Sequence, residues 1–450
     1  MPLGRFFRRR EESAPDTDPA PADAAQDATP DEGDPEVDES IPPEFDEGID
    51  ALDRSWRTRA RDAIPGGTST GSKRPEALYG EGNEDGPTHF SRASGCHLVT
   101  AGEATLLDCT MALGSVSVGY GDERIVRAAI TAAANGNVAG LAHQIEVQMA
   151  ERLGEVIPCA EQARFLKSGA EAVAAAVRIA RAATARSRVV GCGYFGWLDW
   201  CSTATGVPEG ARRDFEAVPF DDVAALERAC RNAGRDLAAI VLEPVIERLP
   251  SAEWAATARR LSDELGAVLI FDEMKTGFRL AAGGYQQLAS VTPDLAVFGK
   301  AMAGGFPVAA VVGRRDVMEA ANRTWISSTL AGDAIALAAV GAVLEIYEQQ
   351  DVCADLARIG AAMQRAVGEA IAASGIAGVR LDGLDPMWLL RFEDSAVERR
   401  FLELAVAEGV LFKRGAYNYA ALAHDEEEII VEVERAASSA LVQLVAERTA

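Results

Sequence analysis

The sequence predicts an α/β fold: a mainly parallel sheet flanked by helices in a large domain, followed by a smaller α+β C-terminal domain. Three observations predict it. From about residue 120 to 315, short apolar runs alternate with amphipathic helical patterns. The runs are continuous stretches of Val, Ile, Leu and Ala, as in strands buried on both faces. After about residue 340 the alternation gives way to long helical stretches around a few isolated strand-like runs, the mark of a separate α+β unit.

Residues 51–63 carry a helical pattern that Ile64-Pro65-Gly66-Gly67 breaks. A polar loop, TSTGSKRP, follows to Pro75, and the short runs HLVT and ATLLDCT read as strands. Helices are predicted at about 123–134, 144–156 and 170–185, with RVVGCG (188–193) as a buried strand. DDVAALERACRNAG is a helix, LAAIVLEPV (237–245) a strand, SAEWAATARRLSDELG a helix and AVLIFDE (267–273) a strand. DLAVFGK (294–300) and PVAAVVG (307–313) close the large domain's sheet. Beyond 340, two long helical stretches lead to MWLLRFE (387–393), a further helix, the segment GVLFKRGAY and a final helix from about 425. The expected divisions are a tail, 1–50, an N-terminal segment, 51–110, a large domain, 111–340, and a small domain, 341–450.

Composition excludes several classes. The 450 residues hold 44 Lys+Arg against 69 Asp+Glu, a net charge of −25. Binding nucleic acid needs Lys and Arg to neutralise phosphates, so a general nucleic-acid binder is excluded. A polybasic membrane-surface protein is excluded for the same reason. No stretch of about 18 uncharged apolar residues suggests a membrane span. Residues 11–50 hold 16 Asp or Glu and no Lys or Arg, and residues 1–10 hold four Arg. Such a segment has too little apolar surface to offset its ordering entropy and is expected to be disordered. MPLGRFFRRR lacks the apolar stretch of a secretory signal, and the acidic run behind it argues against a transit peptide. Seven cysteines without a CxxC pair and four scattered histidines suggest neither a disulfide framework nor a metal site. Reduced thiols in a cytoplasmic protein are the simplest account.

In open parallel sheets, ligands sit beyond the carboxyl ends of the strands. Three segments there carry chemistry. In FLKSGAEAV (165–173) an apolar segment ends at Lys167-Ser168-Gly169 and an alanine-rich helix follows. Its N-terminus offers free N–H groups to a phosphate, although Ser168 could equally be a plain N-cap. In LIFDEMKTGFR (269–279) an acidic pair ends a buried strand. A buried carboxylate needs a cation, either a protonated ring nitrogen or a neighbouring Lys or Arg. In DLAVFGKAMAGGFP (294–307) Lys300 leaves an apolar strand before a Gly-rich turn. A desolvated lysine there becomes nucleophilic; the alternative is a surface lysine at a strand end. A phosphate cup, a partner for a pyridinium and a lysine able to form a Schiff base together match what pyridoxal phosphate (PLP) requires.

PGG near residue 65, then SGAEA, CGYFGW, LEPV, FDEMKTGFR, FGKAMAGGFP and STLAGD occur in one order from Ile64 to the C-terminus. In these motifs the chain resembles class III aminotransferases of the fold-type I PLP-transferases, especially the glutamate-1-semialdehyde aminomutase branch. The resemblance implies that Lys300 carries the Schiff base and that Asp272 pairs with the pyridine nitrogen. It implies that Ser168, Gly169 and Ala170 hold the phosphate, and that Tyr194 and Met274 lie on opposite faces of the ring. Glu243 would lie near the cofactor, and Thr329 would reach the phosphate of a neighbouring subunit. A homodimer with shared active sites follows from that. The alternative for Thr329 is that it caps a helix beginning near Ala331.

The resemblance also implies amino transfer between a small-molecule amino donor and a carbonyl acceptor, with an intramolecular aminomutase, racemisation or decarboxylation as alternatives. Several positions depart from the family's pattern. Ala170 stands for a common Thr, Lys167 for an Asn, Phe195 for the His of YHG and Asp333 for an Asn. Lys167 could lend charge to the phosphate. PGGVNSPVR becomes PGGTSTGSKRP, leaving Lys73 or Arg74 to recognise a substrate carboxylate. CGYFGWLDW followed by GVP looks more like relatives in sugar and surface-polysaccharide pathways.

Overall fold

The computed structural model describes residues 47–83 and 85–449. The acidic segment 1–46 lies outside the described residues. The last four positions assigned to the tail, 47–50, instead open the helix Glu47–Ala63. That helix is anchored downstream. Asp53 accepts from Thr100 Oγ1 (3.1 Å) and the Gly102 N–H (3.0 Å), and Arg57 donates to Asn83 and the Asp85 carbonyl. A docked helix extends at little cost because each added residue contributes one more backbone bond.

Three strands, β1 (Phe90–Ser94), β2 (His97–Thr100) and β3 (Thr105–Asp108), form an antiparallel meander. The central sheet comprises β4 (Gln162–Leu166), β5 (Arg188–Cys192), β6 (Phe215–Ala217), β7 (Leu237–Leu242), β8 (Val268–Asp272), β9 (Leu295–Phe298) and β10 (Ala309–Gly313). Their order is β4-β10-β9-β8-β7-β5-β6. All run parallel except β10, which is antiparallel to β4 and to β9. Every residue of β7 to β10 is buried, which explains the unbroken apolar runs. Alternation then divides each strand between two layers of core. Ile240 and Leu242 join one apolar cluster; Ala239 and Val241 join the other, under the helix Gly169–Thr184.

In the C-terminal part, β11 (Val379–Leu384), β12 (Met387–Phe392) and β14 (Tyr417–Tyr419) form an antiparallel sheet. The helices Val352–Ser374 and Glu427–Thr449 pack together beside it. β13 (Val410–Leu411) leaves that unit and pairs in parallel with β3, so the two ends of the folded chain share one sheet. Among the described residues no helix is long and apolar enough to cross a membrane.

Candidate active site

Five parallel strands end along one edge of the sheet, and the residues just past them converge there. β4 leads to Lys167-Ser168, β5 to Gly193-Tyr194, β7 to Glu243, β8 ends on Asp272, and β9 leads through Gly299 to Lys300. This is the carboxyl edge at which open α/β sheets bind ligands.

Asp272 ends β8 and Glu273 follows it, and the two carboxylates have different partners. Glu273 is fully buried and accepts from the Thr276 hydroxyl, the Tyr285 N–H (2.8 Å) and the Gln286 N–H (3.0 Å). Burial pushes it up to about 6, and these donors hold it there. Asp272 is also buried but accepts from the Met274 N–H alone among the bonds described (3.1 Å). Burial first, then repulsion from Glu243, pushes its carboxyl up to about 7. Among the described residues no Lys or Arg lies within ion-pair distance of Asp272. No direct salt bridge is therefore formed; the Met274 N–H and, at longer range, the Lys300 charge oppose the upward push on this carboxyl.

Lys300 sits at the start of a tight turn, Lys300–Ala303, with φ +47°. A left-handed backbone at a lysine is strained, and it carries the side chain off the strand end. Burial first, then the Lys275 ammonium, holds its amine below the ordinary value, against the pull of Glu243 and Asp272. Met274 lies between the two loops: a Cβ on Gly169 would come within 2.9 Å of it, and one on Gly299 within 2.5 Å. Glycine at both positions lets the Met274 side chain lie against the two loops.

Ser168 is the N-cap of the helix Gly169–Thr184 and forms a capping box with Glu171. The Glu171 carboxylate accepts from the Ser168 N–H (3.0 Å) and hydroxyl (3.0 Å). The plain N-cap reading of Ser168 is thus realised, and Gly169 and Ala170 are the first two helical positions. Gly196 packs directly onto Ala170: a Cβ there would lie 2.4 Å from that of Ala170. Tyr194 is 75% exposed, and its N–H donates to Glu243 Oε2 (3.1 Å). Glu243 Oε1 pairs with Lys275 Nζ at 2.6 Å. Phe195 points away from the site, stacked on Trp200 and edge-on to Phe215 in the core. Substituting Phe for a His there is therefore a packing change.

Two other departures meet each other. Lys167 pairs with Asp333, and it also donates to the Pro307 carbonyl (3.1 Å). Asp333 in turn caps the helix Ala334–Gln349 by accepting from the Ala336 N–H (3.0 Å). Thr329 does not cap that helix, which starts three residues later than expected. It is exposed in a turn and lines a cavity of about 780 Å³ with residues 136–144 and 163–166. Lys300, Asp272 and Glu243 do not line this cavity. Lys73 and Arg74 are exposed, and neither bonds to the Lys300 cluster among the described residues. Their loop is held by Lys413, which donates to the Ser72 (3.2 Å) and Ala77 (2.8 Å) carbonyls.

Sequence reasoning missed Lys275 and Tyr417. A lysine inside an otherwise buried motif is the signal for the first; nothing local marks the second, which arrives from β14.

The aminotransferase class-III family matches residues 79–423. A glutamate-1-semialdehyde 2,1-aminomutase of Thermomicrobium roseum is 32% identical over 423 residues, covering 86% of this chain and 96% of its own. A 2'-deamino-2'-hydroxyneamine transaminase of Streptomyces kanamyceticus is 34% identical over 341 residues, covering 74% and 86%. Among solved structures, the FumI protein of Sphingopyxis sp. in its PLP internal aldimine form superposes with a TM-score of 0.83. It is 25% identical and covers 89% of this chain and 98% of its own.

Proposed function

The chain belongs to the class III aminotransferase family and is a PLP-dependent enzyme; on that premise we propose that Lys300 and Asp272 are its catalytic pair, acting in amino transfer on a hydroxylated, sugar-like substrate in the cytoplasm. The observation that carries this reading is the pairing of opposite anomalies at one sheet edge. Lys300 is an amine held below its ordinary value, and Asp272 is a buried carboxyl held above its own, with no Lys or Arg within ion-pair distance among the described residues. The residues fit the cofactor: the Lys300 amine and the Asp272 carboxyl stand at the same sheet edge as the N-terminus of the helix Gly169–Thr184, which can receive a phosphate.

Bound PLP supplies an electrophilic carbonyl and an electron sink. Lys300 would provide the nucleophilic amine that holds the cofactor and the base that takes and returns the proton at the substrate carbon. Asp272 would hold a proton on the pyridine nitrogen. Ser168, Gly169 and Ala170 would hold the phosphate, Met274 and Tyr194 would lie against the ring, and Glu243 fixes the Tyr194 backbone.

The exposed Thr329 lines one cavity with the exposed Leu141 and is followed in the chain by the exposed Leu330. A second copy that covers this face and receives Thr329 at its own phosphate would make a homodimer with shared sites. The seven free cysteines support the cytoplasm. The S. kanamyceticus relative, named for a hydroxylated amine, supports the substrate class. A second reading, an intramolecular aminomutase, is favoured by the T. roseum relative, matched over nearly its whole length. Incubating the enzyme with single amino donors separates them: a transaminase leaves its cofactor in the amine form and releases a carbonyl product, whereas an aminomutase returns an isomer of its substrate. Failure of borohydride to fix the cofactor on Lys300 would overturn the reading.

A further inference from the structure

We propose that Lys275 and Tyr417 are positioning residues for Tyr194, acting through the Glu243 carboxylate, so that the C-terminal sheet helps to set the side chain that lies against one face of the cofactor ring. The inference rests on Tyr194 flanking that ring, and it stands on a continuous run of contacts. β5 and β7 pair with Cys192 opposite Leu242, so Gly193 and Glu243 leave the sheet side by side. A Cβ on Gly193, where φ is +132°, would come within 2.4 Å of the Glu243 Cβ. Glycine there lets the Glu243 side chain lie against the turn, and its Oε2 accepts from the Tyr194 N–H at 3.1 Å. Among the described residues no backbone carbonyl accepts from that N–H.

Glu243 is itself held. Its Oε1 lies 2.6 Å from Nζ of Lys275, three residues past the end of the neighbouring strand β8. Lys275 is only 8% exposed. Its Nζ also donates to the Tyr417 hydroxyl at 3.0 Å and sits 4.4 Å from the centre of the Tyr417 ring. Tyr417 is fixed in turn, because its hydroxyl accepts from the Glu247 N–H (2.9 Å). Glu247 has φ +60°, a left-handed backbone that a glutamate keeps only when its surroundings hold it. Its carboxylate pairs with Arg391. In β12, Leu389 stands opposite Tyr417, and Arg391, two residues on, shares that face. One face of the C-terminal sheet therefore grips the segment that follows β7. The Glu243 side chain is 15% exposed. Without Lys275 its carboxylate would be a partly buried charge lacking a counter-ion, and it would turn to water and release the Tyr194 N–H.

The test reads exchange of the Tyr194 amide by hydrogen-exchange mass spectrometry in the full-length, cofactor-free protein. The Glu243 N–H, which donates to the Cys192 carbonyl (2.8 Å), is the internal control. Lys275→Met removes the counter-ion, Lys275→Arg keeps the charge, and Tyr417→Phe removes the hydroxyl alone. Exchange at Tyr194 should quicken roughly tenfold or more in Lys275→Met and about threefold or more in Tyr417→Phe, with the Glu243 N–H unchanged. Lys275→Arg should stay within about threefold of the unaltered protein. The Kd for PLP, read by spectral titration, should rise in the same order. An unchanged Tyr194 rate in Lys275→Met overturns the proposal. So does equal quickening at Tyr194 and Glu243, which is what a merely structural lysine would give, and so does a Kd that stays constant while Tyr194 exchanges faster. If Lys275→Met does not fold, an unchanged Tyr194 rate in Tyr417→Phe is the overturning result. Tyr194→Ala tests the underlying reading separately. PLP affinity unaffected by that change would remove Tyr194 from the ring, and the inference with it, whatever the exchange rates show.

Discussion

Replacing Asp272 with Asn should stabilise the cofactor-free protein at pH 8 while disabling it as an enzyme. Burial and Glu243 raise this carboxyl from 3.8 to about 7. The folded protein therefore holds the proton more tightly than the unfolded chain does. Well below 3.8 both states are protonated and Asp272 costs nothing. As pH rises from there to about 7 the unfolded chain releases its proton first, so stability falls, and above about 7 the full cost is present. About three units at 1.36 kcal/mol each put that cost on the order of 4 kcal/mol. Asn keeps an acceptor for the Met274 N–H and removes the titration. With an unfolding entropy of about 2.1 cal/mol/K per residue over roughly 400 folded residues, 4 kcal/mol corresponds to about 5 °C. Calorimetry should show a melting temperature about 5 °C higher at pH 8 and a shift near zero at about pH 4. The same variant should lose ~10²-fold or more in turnover, because no carboxylate keeps the proton on the ring nitrogen. Equal shifts at both pH values, or a lower melting temperature at pH 8, would refute the claim that burial raises the Asp272 carboxyl in the folded protein.

Lys300→Ala should abolish turnover and cofactor fixation by borohydride while leaving circular dichroism native; measurable turnover would place the reactive amine elsewhere. Glu273→Gln should lower stability by about 1–3 kcal/mol, since its amide NH2 must face at least one of the three donors, yet leave turnover per folded molecule near normal; a large loss of turnover would give Glu273 the role assigned to Asp272. Thr329→Ala should weaken both cofactor retention and dimerisation by about 1.5–3 kcal/mol, read by dilution with and without PLP. A monomer that binds the cofactor as tightly as the dimer would defeat the shared site.

Local pattern made most of the large domain legible. The helices Glu123–Ala134 and Gln144–Val156 end where apolar periodicity ends, and Asp272, Glu243 and Lys300 lie at strand ends as their motifs indicate. What the pattern could not carry was direction and partnership. β10 reads like its parallel neighbours because burial on both faces, not strand direction, determines its composition. β6 is too short, Phe-Glu-Ala, to show any alternation. The Lys167–Asp333 and Lys275–Tyr417 pairs join segments far apart in sequence, and no single stretch encodes such a meeting.

During synthesis, β3 leaves the ribosome long before the strand that completes its sheet. The residues that pair, Leu107 with Val410 and Asp108 with Leu411, are separated by roughly 300 residues, so at about 5–20 residues per second the outer edge of β3 waits some 15–60 s. Leu106 and Leu107, buried in the finished protein, spend that interval on an open edge able to pair with another nascent chain. Until that strand arrives the edge is open to other chains, so chaperone supply and growth temperature are expected to bear on the yield of native enzyme.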